Sequence, residues 1–247
     1  MTTDIRILIL SALATLITLS IHEFFHAFTA YKLGDNTARN LGRLTLNPIK
    51  HLDPIGALCM IVFRFGWARP VPISPRNFKK PRRDFAISAL MGPVSNLITA
   101  LFAAFLYLFA YAWLKDVRFE SEFLYQLANN SLLFLIIFHQ INIGIAVFNL
   151  IPVPPLDGSR ILTVILPPRT YFKIMRYERT IYWILIGWLF VGDVVSRALL
   201  SFSFIAGNPI LSAFAKILSL SDILAIVISY ISRSMMSFWQ LIPFLKL

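Results

Sequence analysis

IRILILSALATLITLSIHEFFHAFTAY, Ile5 to Tyr31, is the stretch on which the fold turns. It is apolar over a length that crosses a bilayer as a helix, for which about 20 residues suffice. Near its C-terminal end stand His22, Glu23 and His26. On a helix, positions four apart share a face one turn apart. His22 and His26 can therefore hold one metal ion between them, and Glu23, one step round the helix, can reach a water on that ion. Two imidazole ligands and a carboxylate base at this spacing are the chemistry of H-E-x-x-H zinc hydrolases. The competing reading is a pair of packed, hydrogen-bonded core histidines. A charged group in lipid costs about 3 kcal/mol or more, and three polar groups at ligand spacing inside such a run favour the metal.

Composition sets the class. The chain has 247 residues, 57% of them hydrophobic and 14% charged, with a mean hydropathy of +0.72. A soluble domain has about a quarter of its residues charged. Several apolar runs are long enough to span, so the reading is an all-α polytopic membrane protein. It is a bundle of about five transmembrane helices with a small β-hairpin or sheet at the membrane surface after the first. The net charge is +11. Because the basic residues lie between apolar runs, they mark cytoplasmic loops and contacts with membrane lipids rather than a nucleic-acid partner. Cys59 is the only cysteine, which rules out an internal disulfide. Asp4 and a lone Arg6 make a poor signal-peptide start, so Ile5–Tyr31 reads as a retained first span.

The connection from Lys32 to Asp84 carries eleven Lys/Arg against three Asp, a cytoplasmic signature. Leu41–Leu46 and Leu58–Phe63 look strand-like, punctuated by Asn47-Pro48, Asp53-Pro54 and Gly56. The expected hairpin dips into the membrane near Ile55–Phe65. Its edge would hold an extended peptide, or the segment is a packed connecting loop. Lys79-Lys80-Pro81-Arg82-Arg83 is a headgroup anchor.

A second span, Phe85–Trp113, contains Gly92-Pro93-Val94-Ser95-Asn96. Asn96 either glues helices together or lines the site. The third, Phe123–Ile151, carries His139, Asn142, Ala146 and Asn149 on one stripe. His139 lies too deep to join the motif and reads as a hydrogen-bonded structural residue. Pro152, Pro154 and Pro155 end this span at membrane depth, where irregular backbone must meet protein or a wet cavity. Asp157-Gly158 opens a short helix, Ser159–Leu166. Alone, Asp157 would be an N-terminal cap. A fourth span covers Thr180–Leu200, Ser203–Leu220 is interfacial or re-entrant, and a fifth span covers Ile223–Leu245 despite Arg233. This divides the chain into a core, 1–166, and additional C-terminal membrane helices, 167–247.

Spans one and three both run from outside to inside, so the H-E-x-x-H motif and Asp157 arrive at one depth near the cytoplasmic face. Catalytic zinc takes three protein ligands and keeps one position for water. His22, His26 and Asp157 can supply the three.

HEFFH (His22–His26) together with NLIPVPPLDG (Asn149–Gly158) resembles the site-2 protease family of intramembrane zinc metalloproteases. Gly42–Pro48, Gly66–Pro72 and the Gly-Pro-x-x-Asn stretch ending at Asn96 resemble its short prokaryotic branch, without room for a PDZ-like insertion. The resemblance implies one Zn2+ per chain on His22, His26 and Asp157, with Glu23 as catalytic acid/base. It implies that Asn149 and Asn96 position substrate or the oxyanion. The implied substrate is a membrane-embedded protein segment, cut in or near the span by an enzyme of a prokaryotic cell membrane. A homo-oligomer is a possible state. A zinc-containing adaptor without activity and a metal transporter are the rival readings.

Overall fold

The computed structural model describes residues 5–56 and 68–245. Five of its helices are long and apolar enough to cross a membrane: α1 (Ile5–Lys32), α2 (Pro81–Leu114), α3 (Glu122–Leu150), α6 (Glu178–Leu200) and α8 (Leu220–Trp239). Among the shorter helices between them are α4 (Asp157–Ile165), α5 (Pro168–Arg176) and α7 (Pro209–Ile217). The chain is therefore a multi-pass helical membrane protein.

α2 is the hub. It packs against α1, α3 and α4, and α8 closes against α2 and α3. Lipid offers no hydrophobic drive for helices to associate, so close backbone approach through small residues does the work. The buried residues of α2 show this in Ala89, Gly92, Ala100, Ala103 and Ala104, and those of α1 in Ala14, Ala27 and Ala30. Buried polar pairs add register. Asn142 of α3 donates to Thr18 Oγ1 of α1 at 2.9 Å. His139 lies 2.8 Å from the Ala100 carbonyl of α2 and 2.9 Å from Ser232 Oγ of α8. The ring thus joins three helices, the hydrogen-bonded setting expected of it.

The surface connection departs from expectation. Among the described residues there is no strand. Leu41–Leu46 forms turns and bends. Gly42 has a φ of +64°, and Arg43 N–H donates to the Ala38 carbonyl at 2.8 Å. The chain therefore reverses where a strand would have to extend. Leu44 packs on Ala27, Ala38 and Val71. Local bonds and side-chain packing occupy the groups that a ladder would need. The partner stretch, Leu58–Phe63, lies outside the described residues. What remains is an isolated antiparallel bridge between Leu52 and Ala68, with Arg69 N–H on the His51 carbonyl at 2.8 Å.

After α6 the chain turns back. Asn208 caps α7 by accepting from the Ile210 and Leu211 amides. α8 then starts at Leu220, which packs with Leu156 and Leu185, and Trp239 at its far end donates to the Leu101 carbonyl. Arg233 lies on an exposed face.

Candidate metal centre

α1 sets two imidazoles one turn apart, with Nε2 atoms 2.9 Å from each other. The third group comes from 131 residues further along the chain. Pro152–Pro155 break the backbone after α3, Leu156 N–H turns onto the Val153 carbonyl, and α4 opens on Asp157. The N-cap position falls to Leu156, and Asp157 is the first residue of the helix. Its Oδ2 lies 3.0 Å from His22 Nε2 and 3.1 Å from His26 Nε2. His22, His26 and Asp157 are a three-donor group of a kind that holds a metal ion.

The far side of each ring fixes which nitrogen faces the group. His26 Nδ1 is 2.8 Å from the Ser88 carbonyl, an acceptor, so Nδ1 carries the proton and Nε2 presents its lone pair. The Ser88 hydroxyl returns a bond to the His26 carbonyl at 3.0 Å. His22 Nδ1 faces the Asn96 carboxamide at 3.1 Å. Asn96 is fully buried, and its Oδ1 has no partner among the described residues. With that oxygen turned to the ring, it accepts from Nδ1–H and His22 also presents a lone pair. Three acceptor atoms then converge with no proton among them, which suits a cation. Their separations fall a few tenths of an ångström short of the about 3.3 Å edge of a tetrahedron with zinc bond lengths.

Glu23 sits beside them, buried, with Oε2 accepting from Val71 N–H at 2.8 Å. Two buried residues hold the Val71 stretch. Arg43 donates to the Arg69 carbonyl at 2.6 Å. Asp35 accepts from Ser74 N–H at 2.7 Å and from the Asn77 amide at 2.8 Å. The metal group and Glu23 line a cavity of about 1400 Å³ walled by α1 to α6 and α8.

Comparison with known proteins places this arrangement. The model of "Peptidase family M50" matches residues 10–191. The chain belongs to peptidase family M50, the site-2 protease family. It is 44% identical over 163 residues to "Putative zinc metalloprotease YwhC" of Bacillus subtilis, covering 66% of this chain and 72% of that protein. It is 30% identical over 170 residues to "Putative zinc metalloprotease Rip2" of Mycolicibacterium smegmatis, covering 67% and 61%. The Rip2 of Mycobacterium tuberculosis is 29% identical over 161 residues, covering 63% and 56%. No solved structure gives a significant match.

Within this M50 chain the two asparagines part company. Asn149 lines the cavity, its amide bonded to the Ile145 carbonyl one turn back. Asn96 lies behind His22, away from the space a substrate would occupy, because α2 presses that face onto the ring. Its contact is with His22 Nδ1. Two glycines went unread as site residues. A Cβ on Gly92 would stand 2.4 Å from His26 Nε2 and 2.7 Å from His22 Cε1. A Cβ on Gly158 would stand 2.4 Å from the Leu150 carbonyl oxygen. Their signal in the sequence was position alone, four residues before Asn96 and one after Asp157.

Proposed function

We propose that this chain is a zinc metalloendopeptidase that hydrolyses peptide bonds within or near membrane-spanning segments of other proteins. In this reading His22, His26 and Asp157 hold the zinc and Glu23 is the acid/base. The observation that carries it is the meeting of three lone-pair donors from distant segments, beside a buried carboxylate, on the wall of a cavity. Zinc, when bound, supplies Lewis-acid polarisation and an acidified water.

The chain's own residues do the rest. Val71 N–H fixes the Glu23 carboxylate, which takes a proton from the attacking water and returns it to the leaving amine. Asn96 and the Ser88 carbonyl hold the two rings in the tautomer that ligates. Asn149 lines the space where the substrate backbone would lie. The apolar walls from α3, α6 and α8 suit an unwound membrane segment. Residues 1–166 carry the chemistry and 167–247 complete the cavity wall. The active site lies near the cytoplasmic face of a prokaryotic cell membrane, since the basic Lys32–Asp84 connection leaves the same end of α1.

An inactive zinc adaptor would use four protein ligands. Among the described residues the group counts three. Purified Glu23→Gln should keep one zinc per chain and lose cleavage of a co-expressed single-span substrate. Asp157→Ala should lose the metal. Cleavage undiminished in Glu23→Gln sinks the protease reading.

A further inference from the structure

α5 is a short helix with two distinct faces. Pro168, Tyr171, Phe172 and Met175, at i, i+3, i+4 and i+7, all line the cavity that holds the metal group. Arg169, Lys173 and Arg176, at i, i+4 and i+7, are all exposed. Among the described residues no carboxylate lies within ion-pair distance of these three; the neighbouring Glu178 is paired with Arg160 instead, at 3.4 Å. α5 leads through Tyr177 directly into the membrane-spanning α6, so it sits where that span leaves the bilayer. A helix with one apolar face, on which Phe172 is still largely exposed, and a separate basic face at this depth is built for the headgroup plane.

We propose that the Arg169–Lys173–Arg176 face of α5 is a docking surface for anionic lipid headgroups, and that this contact seats α5 as one wall of the cavity. Charge complementarity argues for it. Three cations with no ion-pair partner among the described residues project from one face of a helix lying at a membrane surface, and a basic residue near an anionic leaflet is drawn toward it. Position argues for it too. The same helix lines the cavity together with Pro81 and Arg82 from the start of α2. The lipid contact concerns the wall of the proposed active site and rests on that reading only for its consequence in catalysis, not for the binding itself.

The test uses the full zinc-loaded chain in nanodiscs and reads amide hydrogen exchange, which needs no protease activity. Exchange across 168–176 should be at least about threefold slower with one-third phosphatidylglycerol than with phosphatidylcholine alone. About 0.5 M salt should remove the difference, because it shrinks the screening length to a few ångströms. The combined Arg169→Gln, Lys173→Gln, Arg176→Gln variant should show no lipid dependence while exchange in α1 to α3 stays as in the wild type. Equal exchange of the wild type in both lipids overturns the proposal. So does lipid dependence surviving in the variant, or a slowing that requires an added substrate with acidic residues flanking its span. A cleavage assay on the same discs separates the two readings. Absence of cleavage in every lipid counts against the protease and leaves the exchange result standing.

Discussion

Gly92 of α2 lies so close to His26 of α1 that a Cβ there would stand 2.4 Å from the ring's Nε2, the atom that faces Asp157. That approach is backbone against a buried ring, with no flexible side-chain end to yield. Gly92→Ala should therefore push both imidazoles away from Asp157. The expected result is a fall in zinc affinity of about 10–100-fold, the range seen when ligand orientation is disturbed. Chelator competition measures it, with helical content by circular dichroism as the control. Unchanged affinity would mean that the rings have room to move.

Asn96→Ala removes the partner of His22 Nδ1 and leaves the ring free to take the other tautomer. Zinc affinity or turnover should drop by about tenfold or more. Asn96→Asp should restore part of it, since a carboxylate also accepts from Nδ1–H. Were Asn96 a substrate contact, the alanine variant would raise KM and leave metal affinity alone. Zinc titration beside steady-state kinetics distinguishes the two.

The spans and the metal group were legible because both depend on periodicity and residue type. Apolar length fixed the helices, and three ionisable groups in lipid had few other uses. Leu41–Leu46 was misread because its alternation mimics a strand, whereas Gly42 and the Arg43 bonds to the distant Arg69 and Pro70 carbonyls decide its path. Gly92 and Gly158 were passed over for a related reason. A missing side chain signals nothing until the atom it makes room for is known.

Asp35 introduces a pH dependence that is separate from the metal. Burial pushes its carboxyl up, but the Thr37 hydroxyl, the Asn77 amide and the Ser74 and Thr37 N–H groups outweigh this and hold it below the usual 3.8. A carboxyl more acidic when folded than unfolded adds stability above the unfolded value and loses it as pH falls through the lower folded one. The connection at 74–77 should thus loosen only under acid, below about 3.8. Thermal melts in detergent should show a wild-type decline as pH falls below about 3.8 that is blunted in Asp35→Asn. Asp35→Ala, which strips a buried set of donors of their acceptor, should cost about 1–3 kcal/mol at neutral pH.

Arg82 grips α4 at the end opposite Asp157. Its Nε donates to the Thr163 carbonyl and its Nη2 to the Leu166 carbonyl, both at 2.6 Å, and the Thr163 hydroxyl donates back to the Arg82 carbonyl at 3.1 Å. Thr163 lies in the last turn of α4 and Leu166 is its C-cap, so these carbonyls have no partner within the helix. The clasp therefore ties α4 to the first turn of α2, the helix that also carries Gly92 and Asn96 against the rings. Arg82→Ala should weaken zinc binding, though less than Asp157→Ala does. Lysine, a point donor without the guanidinium fork, should rescue it only in part. Because Arg82 and Thr163 act as one unit, adding Thr163→Ala to Arg82→Ala should cost less than the sum of the separate changes. A coupling of about 0.5 kcal/mol or more in a double-mutant cycle of zinc affinity would fit the clasp. Strict additivity would show that α4 finds its depth without it, leaving the Gly158 contact with the Leu150 carbonyl as the feature that sets where Asp157 stands.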